Sequence, residues 1–298
     1  PYEPCPGPRF LSGFASSPFQ TEVELKFARE VIRQEKLGQG PVTDLLTISL
    51  STNDFVGHHY GPNSPQVADM TLRTDRELAG FFEDLDRMIG LNNIWISLSG
   101  DHGVAPIPQL VKDRRLGLGI FQLAPLWDAV AATLSKVFGG DQWIENLDIP
   151  YIYLNQNAML KRQISPERVE AEAAQAAMAV PGVFAAFTRS NLIAGNTPNT
   201  PVARKVVNSF NWRRSGDVFL VLEPYAVASG SETATTHGTP WSYDAQVPLL
   251  IWGSGFKSGV HAEPCQPIDL VPTLASALGL NQPSGASGTP LSGVFAGN

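Results

Sequence analysis

The chain has 298 residues, 43% of them hydrophobic and 16% charged, which excludes a disordered tail and allows one large α/β domain or two small ones. The net charge of −7 and a pI of about 5.2 argue against a general nucleic-acid binder, which shows a basic face. They do not argue against an anionic substrate, because a bound metal supplies positive charge locally.

The first residue is Pro1, no secretory signal opens the chain, and no apolar run is long enough to span a membrane. This start reads as that of a processed, trimmed or fragmentary chain. The two cysteines, Cys5 and Cys265, form no CxxC pair, so a thiolate zinc cluster is not expected; one disulfide and two free thiols are both open.

Residues 1–20 are rich in Pro, Gly and Ser and predict a loop. Val23, Phe27 and Val31 recur at four-residue spacing and predict a helix over 21–37, with Gly38 as its stop. The apolar run at 44–51 predicts a strand buried on both faces, as in a parallel sheet. Leu78, Phe81, Phe82, Leu85, Met88 and Ile89 fall on one face of a long helix over 65–89. A second buried strand follows at 93–99, so the three elements predict a right-handed βαβ unit.

From 106 to 230 the pattern is less regular and predicts an inserted cap, with helices near 124–138 and 166–179 and strands near 150–154, 182–188 and 217–222. A third buried strand is expected at 247–252, a helix from Pro267 to about Leu278, and a loop from Asn281 onward.

Three short constellations carry chemistry. Asp54 and His58 follow the 44–51 run, where ligands bind beyond strand ends in open α/β sheets, and both side chains suit zinc-like metals. The alternative is a helix N-cap Asp beside a surface His. Asp101 and His102 lie between Gly100 and Gly103 after the next run, where the glycines permit a sharp turn and close approach to a ligand; an ordinary strand-ending turn has the same composition. His237 precedes the third run and by itself reads as a solvated loop residue. Three of the five histidines fall at these positions, leaving His59 and His261 without an assigned role. Trp127, Trp143, Tyr151, Tyr153 and Trp212 read as pocket lining or as packing.

Taken in order, these segments resemble the alkaline phosphatase superfamily, and within it the type I phosphodiesterase/nucleotide pyrophosphatase branch. The likeness rests on 51–58 with Gly61-Pro62 and Ser64-Pro65, on 98–103, and on 236–240. It continues through Ser242-Tyr243-Asp244, Val247-Pro248-Leu249 and 267–274, and runs from about residue 18 to 290. It implies an α/β fold with a mostly parallel central sheet and helices on both faces. In that fold 1–298 is a single domain whose N-terminal part is absent, and 106–230 is an insertion within it.

The resemblance further implies metal-dependent hydrolysis of small-molecule phosphate esters, mono- or diesters, at two divalent ions, most simply zinc. Asp54, His58 and His237 would form one zinc site; Asp101 and His102 would serve a second, completed by an Asp from an N-terminal strand and by a Thr or Ser nucleophile. Ser16, Ser17 and Thr21 do not fit that nucleophile, because the only acidic residue before Ser17 is Glu3. The nucleophile is therefore expected upstream, and the isolated chain is expected to show little or no turnover. Relatives of this kind imply a periplasmic or extracellular location. The alternatives are a sulfatase or phosphomutase of the same superfamily, and a non-catalytic metal-binding module without the nucleophile half.

Overall fold

Two long helices organise the first of two units in the computed structural model, which describes residues 7–140 and 142–295. This unit comprises Pro1–Val56, Ser64–Gly103 and Gln246–Asn298. Its helices, Pro18–Glu35 and Pro65–Met88, each start with proline at the first position, where the missing N–H is no loss. Ser64 caps the second through its hydroxyl, which accepts from Val67 N at 3.2 Å. Lys36, at φ 55°, closes the first in the left-handed region.

The face joining the helices differs from the one the Val23–Phe27–Val31 spacing suggests. Leu25, Ala28 and Ile32 are buried against Phe81 and Leu85, whereas Val23 and Phe27 are exposed. The helix carries two apolar stripes, and the one containing Leu25 and Ile32 meets the partner. Arg29 reinforces it, donating to Asp84 at 2.5 Å with its guanidinium 5.5 Å from the Phe81 ring centroid. The stretch read as an N-terminal loop contains a helix, Pro8–Ala15, with proline at its start and Phe10 stacked on Phe14 one turn on. Cys5 lies outside the described residues, and Cys265 is exposed.

The strands Ile96–Ser99 and Leu249–Trp252 pair antiparallel, Ile96 opposite Trp252 and Ser99 opposite Leu249. The predicted strand at 44–51 is not formed, and with it the βαβ unit is not formed either. Its residues are mainly exposed, Leu45 at 82%. A ladder needs a neighbour to take the backbone N–H and C=O groups, and among the described residues no strand pairs with this segment. A 3₁₀ turn, Pro267–Asp269, runs into the helix Leu270–Ala277, and a last 3₁₀ turn follows at Ser292–Val294.

The second unit comprises Gly57–Asn63 and Val104–Ala245. It is built on a four-stranded antiparallel sheet in the order Ile144–Asp148, Tyr151–Leu154, Val218–Leu222, Val183–Thr188. All five residues of Val218–Leu222 are buried, and the pleat sends them to opposite sides. Val218, Leu220 and Leu222 join the core under the helices Leu123–Phe138 and Pro166–Met178, while Phe219 and Val221 pack with Phe187, Leu192, Ala203 and Val206. Trp143 is fully buried in the first of these cores. Gly119–Ile120 and Ala226–Val227 form a short parallel pair. The predicted helices and strands of this region all form within a few residues of their expected limits; the additional strand Ile144–Asp148 has too little apolar alternation to be read.

Candidate metal centre

Asp54 and His58 sit one turn apart on the helix Thr52–Tyr60, so their side chains leave the same face. Asp54 is in the first turn, where the helix dipole favours a carboxylate, and His58 is in the last. The helix is closed by Gly61, whose N–H donates to Gly57 O at 2.8 Å and whose φ is +77°. A Cβ at that position would lie 2.5 Å from Ile107 Cγ2, so glycine is required twice over.

His237 comes from the loop between Glu232 and Pro240. This loop is laced to its surroundings at several points. Gln109 N donates to Glu232 O at 3.0 Å, Lys112 pairs with the Glu232 carboxylate, and Ala105 N donates to Thr236 O at 3.3 Å. On the far side of His237, Thr239 donates to Asp244 Oδ2 from both its backbone N, at 2.8 Å, and its hydroxyl, at 2.6 Å. Burial pushes the neighbouring Tyr243 phenol up, and that phenol accepts from Tyr225 N at 3.1 Å.

The ligand atoms of Asp54, His58 and His237 all lie within 4.8 Å of one another, and each residue is half-buried. The two imidazoles are 4.9 Å apart between ring centroids, tilted by 44°. Donors this close together could serve one zinc-like ion. One carboxylate and two imidazoles are the donor set of a three-ligand site that keeps a coordination position open. The Nδ1 of His58 lies 2.8 Å from Thr235 O. A carbonyl only accepts, so Nδ1 carries a proton and Nε2 is the nitrogen left to face a metal.

Asp101 and His102 stand outside this cluster. They follow the strand Ile96–Ser99 directly, after Gly100, where a Cβ would press Val247 Cγ1 at 3.3 Å. His102 N donates to Asp101 Oδ1 at 3.1 Å, and His102 Nε2 lies 3.5 Å from Asp101 Oδ2. The Asp101 side chain is 88% exposed. His59 and His261 are exposed and take no part in the cluster. Of the aromatic residues singled out, Trp143 is core and Tyr151 packs edge-on against Phe219, while Trp212 is exposed beneath the Arg213 guanidinium.

Residues 7–242 match the family described as type I phosphodiesterase / nucleotide pyrophosphatase, and the chain belongs to that family. It is 32% identical over 280 residues to the alkaline phosphatase PafA of Elizabethkingia meningoseptica, covering 94% of this chain and 51% of that protein. It is also 32% identical over 279 residues to a Myroides odoratus protein named a calcium-transporting ATPase, covering 93% of this chain and 51% of the relative. The crystal structure of wild-type alkaline phosphatase PafA superposes with a TM-score of 0.87 at 31% identity, covering 95% of this chain and 54% of that one. The mixed α/β architecture is thus alkaline phosphatase-like, and the chain spans about half the length of the curated relatives it matches. Among the described residues no helix is long and apolar enough to cross a membrane.

Proposed function

We propose that this chain carries the metal-binding part of a phosphoric-ester hydrolase. The observation that carries the reading is the convergence of Asp54, His58 and His237. The names of the relatives support it: phosphatase, ATPase and nucleotide pyrophosphatase have in common the cleavage of a P–O bond. In this reading Asp54, His58 and His237 hold one zinc ion and Asp101 and His102 contribute to a second. Ions held there would supply positive charge against the non-bridging oxygens of a phosphate ester and against the charge that develops in its displacement.

The chain's own residues contribute orientation. The Thr52–Tyr60 helix fixes the spacing of Asp54 and His58, and the laced loop fixes His237. The Thr or Ser nucleophile and the remaining Asp ligand belong, by the family resemblance, to the half of the relatives' length that this chain does not span. The 106–230 region is an inserted cap, and the working location is the periplasm or the cell exterior.

Reconstitution tests the reading. The purified chain, stripped with chelator and dialysed against zinc, is expected to retain about one ion per chain at this donor set and to turn over p-nitrophenyl phosphate slowly or not at all. Zinc retention no greater than that of a triple variant lacking Asp54, His58 and His237 would sink the metal assignment. Fast zinc-dependent turnover by this chain would sink the placement of the nucleophile.

A further inference from the structure

We propose that Thr235 is the positioning residue of the metal centre, a role that rests on the reading of Asp54, His58 and His237 as metal ligands. One residue clasps His58 from two directions. Thr235 N donates to His58 O at 2.9 Å, and Thr235 O accepts from His58 Nδ1 at 2.8 Å. The first bond satisfies a carbonyl at the C-terminal end of the Thr52–Tyr60 helix, where backbone acceptors lack intrahelical partners. The second selects the ring tautomer and its rotation. A partner behind the imidazole in this way sets which nitrogen faces a metal and raises its basicity.

Both bonds come from the peptide, but the hydroxyl seats that peptide. Thr235 is 5% exposed, and its Oγ1 donates to Ala105 O at 2.9 Å. Ala105 is itself buried and returns a bond to Thr236 O. The hydroxyl therefore anchors the loop to a segment with little room to shift, two residues before His237. With Thr239 held to Asp244 two residues beyond, His237 lies midway between two anchors. Valine has the shape of threonine without the donor; serine keeps the donor and loses one methyl.

The test compares the full chain with Thr235→Val and Thr235→Ser. Zinc affinity is read by competition with a chromophoric chelator, the His58 tautomer by long-range ¹H–¹⁵N NMR of the metal-free protein, and ligand geometry by the visible absorption of the cobalt form. Thr235→Val is expected to weaken zinc binding about 10–100-fold, to replace the single Nδ1–H tautomer by a mixture, and to shift the cobalt bands. Thr235→Ser is expected to restore all three.

Thr188→Val, which removes the buried cap of the helix Arg189–Ala194, is the control for general loosening and is expected to leave zinc affinity intact. Wild-type affinity and tautomer in Thr235→Val would overturn the proposal, as would equal zinc losses in Thr188→Val or no recovery in Thr235→Ser. Should Thr235→Val fail to fold, Thr235→Ala, which also lacks the donor, is read by the same three measurements with the same expectations. A wild-type chain that binds no zinc would refute the metal reading alone, because the tautomer measurement needs no metal.

Discussion

The imidazoles of His58 and His237 lie 4.9 Å apart although 179 positions separate them in sequence, one at the end of a helix and the other in a laced loop. An imidazole nitrogen from each ring is a ligand-type donor, so the fold brings two such donors together from distant parts of the chain. In the reading proposed above, the pair and Asp54 serve one ion.

His58→Ala and His237→Ala are each expected to weaken zinc binding by at least about 100-fold, because either leaves too few donors for the ion. Asp101→Asn and His102→Ala are expected to leave this first site intact. Isothermal titration of the stripped chain separates the two groups; a comparable loss in Asp101→Asn would merge the sites.

The face between the two long helices can be tested directly. Leu25 is fully buried and Phe27 is 69% exposed. Leu25→Ala is expected to cost about 2–5 kcal/mol, while Phe27→Ala stays within about 0.5 kcal/mol of wild type. Chemical denaturation with both variants measures the difference, and a larger loss in Phe27→Ala would reverse the face assignment.

Gly61→Ala is expected to destabilise by about 1–3 kcal/mol, through both the positive φ and the collision with Ile107. Since Gly61 closes the helix that carries His58, zinc affinity is expected to drop together with the melting temperature. A variant as stable as wild type would show that the turn tolerates a side chain.

Burial pushes the Glu170 carboxyl up, against the hydrogen bond it accepts from Ser190 N at 2.8 Å, and burial likewise raises Asp217. A raised carboxyl favours the protonated form in the fold. Its contribution is present below the ordinary carboxylate pKa, about 4, and is lost as pH rises through the raised value. Stability is therefore expected to fall as pH climbs out of that acidic range. Glu170→Gln should raise the unfolding midpoint at pH 7, leave it unchanged near pH 4, and flatten the slope between. An unchanged slope in denaturation across that range would show that Glu170 does not carry it.

What could be read from the sequence follows what short-range pattern encodes. The stripe through Phe81 and Leu85 is set by periodicity and was legible, and the helix Pro166–Met178 falls where one was expected, near 166–179. Asp54 and His58 could be singled out from their four-residue spacing, whereas His237, alone in a polar loop, joined them only through the family resemblance. The helix carrying Asp54 and His58 was not legible, because the apolar run before it suggested a strand end. That run has the composition of a strand, but a strand exists only where a neighbour accepts its hydrogen bonds. The part played by Thr235 was hidden for a different reason: a backbone carbonyl does it, and every residue type has one.

The exposed segment at 44–50 has a practical consequence. Leu45, Leu46 and Ile48 are in contact with water, as are Leu98, Leu250 and Trp252 on the strand pair of the same unit. Uncovered apolar side chains beside short strands invite another polypeptide to add on, and in a pure sample that polypeptide is a second molecule of the same kind. Mutual repulsion from a net charge of −7 holds such molecules apart at low ionic strength. Added salt screens it, so light scattering from the purified chain is expected to climb with protein concentration and more steeply at high salt. Scattering indifferent to both would mean that these side chains are less adhesive than their exposure implies.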